Sequence, residues 1–281
     1  MHVLYSLMHQ NIEFELKGGT SLSKGFRLIH RFSEDIDIHI RTNYGLPTEG
    51  NEDKLKVRAA RKEFYDLLAK KLIINGINQI HRDHEFDDQK YRSGGIRLHY
   101  ESLTPALKGV KDGILLEVGF DSVTPNVPID ITSWVWDHLV SINASRNYIN
   151  NTAIGVACYH PGYTLVEKLQ TIVRKFRNKD KPGASDATNF MRQYYDVFCL
   201  LASPEIQSFI GSPEYFAHKK ARIKGADNEI PLNEHPALFL PNPEVRGVFK
   251  SRYEATASLY YLGQPSFDEV CSRIQYFAHR F

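Results

Sequence analysis

The sequence predicts an α/β chain (in the looser sense, α+β), with a mixed sheet flanked by helices over 1–155 and a mainly helical part over 156–281. Three observations predict it. Early segments alternate apolar and charged side chains with the period of a half-buried strand. The run 52–75 has a helix composition, rich in Lys, Arg, Ala and Leu. After Pro161 strand-like segments give way to helix-like ones.

Taken in order, Val3, Leu4 and Leu7 are spaced for one face of a short helix over 2–9. Ile12, Phe14 and Leu16 alternate with Glu13 and Glu15, which predicts a strand. Gly18-Gly19 ends it, and Thr20 is placed to cap a helix over 21–29. A second strand is expected over 35–41 and a long helix over 52–75, closed by Gly76. Strands follow at 77–86, 95–102, 113–121 and 127–133. Helices are expected at 164–178, 185–202 and 204–223, with two more between 243 and 281. The Pro-rich stretch Ile230 to Pro243 reads as a loop.

Composition narrows the class of protein. With 42% hydrophobic and 24% charged residues the chain is globular in character. A formal charge of +2 does not announce a nucleic-acid binder, so any basic surface must be local. Cys158, Cys199 and Cys271 lie far apart, which argues against a structural zinc site or a disulfide framework and fits a reducing compartment. No stretch reads as a signal peptide or reaches the roughly 18 apolar residues of a membrane span. The expectation is a cytoplasmic protein with no membrane association.

The chemistry concentrates between Lys17 and Asp37. In a strand, side chains at i and i+2 share a face, so Asp35, Asp37 and His39 point one way. Ile36, Ile38 and Ile40 point the other way, toward a core. Two adjacent carboxylates repel unless a cation sits between them, and Mg²⁺ takes one or two carboxylates plus phosphate oxygens. Gly18-Gly19 lets a backbone approach a ligand, and the helix that follows presents N–H groups to an anion. Thr20, Ser21 and Ser33 add hydroxyls. Together they read as a phosphoryl- or nucleotidyl-transfer site. A lone Gly-Gly is usually a turn, and Asp-x-Asp on a strand is often a solvated edge; it is their spacing that is unusual.

The segment Gly18-Gly19-Thr20-Ser21-Leu22, followed by Arg31-Phe32-Ser33-Glu34-Asp35-Ile36-Asp37, resembles the nucleotidyltransferase AbiEii/AbiGii toxin family, which includes MenT-like toxins. Its later motifs, a helix lysine and a helix aspartate, match Glu167-Lys168-Leu169 and Arg192-Gln193-Tyr194-Tyr195-Asp196. Lys175 stands where the family often carries Arg, and Gln193 replaces its first Asp. The resemblance implies a nucleotidyltransferase-like fold and a helical C-terminal domain contributing Lys168 and Asp196 to the site.

It also implies roles. Asp35 and Asp37 bind Mg²⁺, with Mn²⁺ an alternative; Gly18, Gly19, Thr20, Ser21 and Ser33 hold phosphates of an NTP. Lys168 meets charge on the leaving pyrophosphate, and Asp196 orients Lys168 or the nucleotide. Spacing alone reads Lys168 as a solvated helix lysine and Asp196 as an exposed i,i+4 partner of Arg192. Glu117 faces away from Ile114, Leu116, Val118 and Phe120; pairing that strand with 35–41 would make it a third metal carboxylate. Asp121 shares its face. The implied activity is that of a toxin in a toxin–antitoxin or abortive-infection pair. It would transfer NMP to RNA, at the 3′ end of tRNA, with a separately encoded antitoxin as partner. A small-molecule acceptor such as an aminoglycoside, a protein side chain, or a non-catalytic nucleotide-binding module are the competing readings. The basic run Arg174 to Lys181 suits either an RNA backbone or a solvated helix end. His81 and His84, three apart on a strand, face opposite ways and make a poor zinc pair.

Overall fold

The structure is a computed structural model that describes residues 1–33, 35–103, 112–121, 123–180 and 187–281. Glu34 of the acidic motif, Lys181 of the basic run and the start of the expected 185–202 helix lie outside the described residues. The chain divides into two compact units, Met1–Phe26 with Ser33–Tyr159, and Arg27–Phe32 with His160–Phe281. The expected boundary near residue 155 falls inside the last strand of the first unit.

The first unit is a seven-stranded mixed sheet. Its strands are β1 (Phe14–Lys17), β2 (Asp35–Ile40), β3 (Gln79–Asp83), β4 (Ser93–His99), β5 (Ile114–Gly119), β6 (Asn126–Ile131) and β7 (Ala153–Tyr159). They lie in the order β3-β4-β5-β2-β1-β7-β6. β2 runs parallel to β5 and β1 parallel to β7, while β1 and β2 are antiparallel. The expected strands all form. The sequence reading does not include β7, which lies between β1 and the edge strand β6, nor α4 (Trp134–Ser141), capped by the Ser133 side chain.

Alternation sets the two faces. Burial along β2 alternates strictly, with Ile36, Ile38 and Ile40 inside and Asp35, Asp37 and His39 half-exposed. The isoleucines join Leu16, Leu116 and Val118 in a core closed by α1 (His2–His9) and α3 (Leu55–Lys71), through Leu4, Leu7, Phe64, Tyr65 and Leu68. Fully burying each such side chain contributes roughly 1.5–3 kcal/mol. Helix α3 is shorter than expected. It ends at Leu72, which is extended, and Gly76 belongs to the next turn with φ +81°.

The loop after β1 also differs. Thr20 does not cap a helix. Helical backbone starts at Gly18 as α2 (Gly18–Thr20) and closes in one wide turn, with Phe26 N–H donating to Ser21 O at 3.0 Å.

The second unit is helical, with α5 (Pro161–Arg177), α6 (Ala187–Leu200), α7 (Pro204–Phe209), α8 (Pro213–Arg222), α9 (Pro236–Phe239), α10 (Pro243–Glu254) and α11 (Phe267–Ala278). The single helix expected over 204–223 is two. Gly211 takes φ +92°, and Ser212 caps a new start at Pro213. The expected 230–243 loop holds the short α9, begun by Pro236 with the His235 ring accepting from Ala237 N–H. A capping box between Ser266 and Glu269 starts α11. Residues Arg27–Phe32 belong to this unit because Arg31 bridges Tyr260 in antiparallel fashion and Phe32 N–H donates to Leu259 O at 2.9 Å. No helix among the described residues is long and apolar enough to cross a membrane.

Candidate active site

In the first unit, three neighbouring strands place Lys17, Asp37 and Glu117 side by side. Lys17 is the register partner of Asp37 on one side and Glu117 its partner on the other. Adjacent strands lie about 4.8 Å apart, so these side chains share one patch of the sheet's polar face. The parallel β2–β5 pairing thus gives Glu117 the neighbour that strand alternation asked for. Asp121 lies beyond the end of β5, where the alternation no longer applies.

Glu117 reports the electrostatics of the patch. Burial pushes its carboxyl up to about 7, Asp37 and Asp35 add to the rise, and Lys17 opposes it. A group with these surroundings is short of positive charge, which a divalent cation would supply. Among the described residues no three His, Cys, Asp or Glu side chains already converge as a cage. An open pair of carboxylates, completed by phosphate oxygens and water, is the arrangement Mg²⁺ favours.

Gly18 is required twice. Its φ is +69°, and a Cβ there would stand 2.1 Å from Asp37 Oδ2. The loop backbone therefore presses against the carboxylate as no other residue would allow. Thr20 hydroxyl donates to Asp35 O at 2.5 Å, tying the loop to the head of β2. Ser21 is fully buried and Gly19 and Thr20 nearly so. These hydroxyls face inward, and of the four loop residues only Gly18 is half-exposed. Ser33 Oγ lies 3.5 Å from the same Asp35 carbonyl, at the limit of a hydrogen bond.

The second unit holds a buried ionic trio. Asp196, with 0% exposure, accepts from Arg31 Nε and Nη2, both at 2.7 Å, and from Lys168 Nζ at 2.9 Å. Burial alone would raise the Asp196 carboxyl, but the Arg31 charge and then Lys168 hold it below the usual carboxylate range. The alternative of an exposed Arg192–Asp196 pair is therefore wrong, because Asp196 has no surface. Lys168, 13% exposed, is not a solvated helix lysine either.

Two members of these clusters were not singled out from sequence. Lys17 was readable only as the residue before Gly18, and its role depends on register with Asp37. Arg31 stood inside the acidic motif, yet its partner is 165 residues away.

Other expectations resolve simply. In the basic run, Arg177 pairs with Asp227 at 2.8 Å and Lys179 with Asp180 at 2.6 Å. His81 stacks on His99 with centroids 5.1 Å apart, whereas His84 Nδ1 meets Asp87 at 2.8 Å.

A mixed sheet with a Gly-Gly turn leading into paired aspartates on the next strand defines a nucleotidyltransferase-type protein. The family model described as nucleotidyl transferase AbiEii toxin of type IV toxin–antitoxin systems matches residues 2–273, and the chain belongs to that family. Membership in a toxin–antitoxin family implies an antitoxin partner. No curated protein and no solved structure matches the chain significantly.

Proposed function

We propose that this protein is a divalent-metal-dependent nucleotidyltransferase toxin. It transfers a nucleoside monophosphate from an NTP to a hydroxyl of RNA, at the 3′ end of tRNA, and releases pyrophosphate. The observation that carries the reading is the register of Asp37 with Glu117 beside the Gly18 turn. Asp35 and Asp37, with Glu117, would hold Mg²⁺ or Mn²⁺, which when bound offsets charge on the triphosphate.

The protein's own groups do the rest. The backbone of Gly18 and Gly19 receives phosphate oxygens, and Lys17 adds a positive charge beside the carboxylates. Glu117, whose carboxyl burial and the neighbouring aspartates push up in the metal-free protein, becomes the charged third carboxylate once a cation is present. Lys168 supplies a cation for the leaving pyrophosphate. Its match to the family's helix lysine and its tether to Asp196 support this role. Asp196 touches Lys168 and Arg31, and so positions rather than reacts. A separately encoded antitoxin would restrain the activity in the cytoplasm.

Incubation with each labelled NTP, Mg²⁺ and total RNA tests the reading, with Asp37→Ala beside the wild type. Label should enter RNA in tRNA-sized species and vanish in the variant. Label in no RNA with any NTP sinks the RNA acceptor, and label that survives Asp37→Ala sinks the mechanism.

A further inference from the structure

A cavity of about 430 Å³ opens in the first unit, walled in part by residues at the carboxyl ends of β2 and β5. The volume is that of a small-molecule site. His39, which shares the face of Asp37 and lies two residues along β2, lines it. That step is about 7 Å, a distance that a single nucleotide can span.

The wall chemistry selects a flat ring. Arg61 of α3 is 7% exposed, and its Nε donates to the Thr48 carbonyl at 2.9 Å. Its guanidinium carbon lies 5.0 Å from the centroid of Phe120, which follows β5. Arg61 Nη1 has no hydrogen-bond partner, with Glu52 no nearer than 3.9 Å. Folding alone does not favour a buried guanidinium left short of an acceptor. Asn43 and Glu49, both exposed, complete the rim with an amide and a carboxylate.

Phosphate is a poor fit. Arg41, also on the wall, is engaged by the buried carboxylate of Glu15, and Glu49 adds a negative charge. The lining is therefore close to neutral overall, with an aromatic ring, a planar cation and polar edges. That combination suits a nucleobase, which stacks on aromatic and guanidinium planes and hydrogen-bonds through its edge.

We propose that the cavity is a nucleoside subsite, which rests on the nucleotidyl-transfer reading of the neighbouring carboxylates. The base of one reacting partner, the NTP or the terminal nucleotide of the acceptor, enters it and packs against Arg61 and Phe120. The test measures binding in Ca²⁺, with each NTP supplied as an α,β-methylene analogue that cannot transfer its nucleotide. Wild type, Arg61→Lys and Glu49→Trp are titrated with each NTP, with ribose 5-triphosphate, and with a short oligoribonucleotide bearing or lacking its 3′-terminal base. Arg61→Lys keeps the charge but loses the plane, and Glu49→Trp fills the cavity from an exposed position that leaves folding intact.

Both variants should weaken one base-bearing ligand at least about tenfold and leave its base-free counterpart unchanged. Loss confined to NTP assigns the donor base, and loss confined to the oligonucleotide assigns the acceptor. Binding within twofold of wild type for both ligands in a folded Glu49→Trp overturns the subsite. So does a wild type that does not distinguish either ligand from its base-free form. With no transfer in the assay, a protein that labels no RNA still reports on the cavity.

Discussion

At Gly18 one missing Cβ fixes the relation of loop to carboxylate. Gly18→Ala would force a left-handed backbone on alanine and drive its methyl into Asp37 Oδ2. Displacing a reacting group by about 1 Å costs about 100-fold in rate, so RNA labelling should fall by at least that factor while the circular dichroism spectrum persists. Glu117 carries a pH signature. Its folded pKa lies above the unfolded value, so the folded state binds the extra proton between about pH 4.5 and 7. Stability is then lost as pH rises through that window, by an amount of the order of 3 kcal/mol. Glu117→Gln should raise the melting temperature of metal-free protein in EDTA at pH 8 and have little effect near pH 4. Equal effects at both pH values would remove the cost of ionising this buried carboxyl from the account. Much of this scale is legible in sequence, since alternation alone puts Asp35 and Asp37 opposite three isoleucines. The inward turn of the Thr20 and Ser21 hydroxyls is not, because it depends on the loop folding back onto the head of β2.

Elements show why the remainder was hidden. β7 pairs with β1 and β6, yet its buried positions do not alternate, and Gly155 at φ +67° interrupts it beside a register shift opposite Ile129 and Ile131. A strand flanked on both sides needs no periodic code, so its sequence reads as neutral. The α5–α6 pair illustrates the opposite case, in which motif residues were seen but their setting was not. Asp196→Ala strips the partner from a buried Arg31 and should cost about 3–5 kcal/mol in urea unfolding. Lys168→Met should cost far less, because Arg31 still satisfies Asp196, while transfer falls at least about 100-fold. Stability contributed by Asp196, whose pKa is depressed, is present above the ordinary aspartate value and is lost as pH falls through the folded one.

Across the whole molecule, a composition change near residue 155 marks the shift from sheet to helices without marking where the units divide. A fragment cut at 155 would sever β7 between its neighbours and expose β1 as an edge. Residues 1–155 expressed alone should aggregate or give poorly dispersed amide resonances, and a well-dispersed spectrum would contradict the sheet order. Nor does cutting at 160 release an intact pair of units, because Arg27–Phe32 would leave with the wrong one.

That exchanged segment has a consequence for how the toxin is made. The stretch leading into Asp35 waits, during synthesis, for Leu259 and Tyr260 to emerge before its backbone bonds can form. A ribosome must therefore translate past Tyr260 before the entrance to the acidic strand is fastened. Products interrupted before that point lack the fastening even though all seven strands of the sheet have been made.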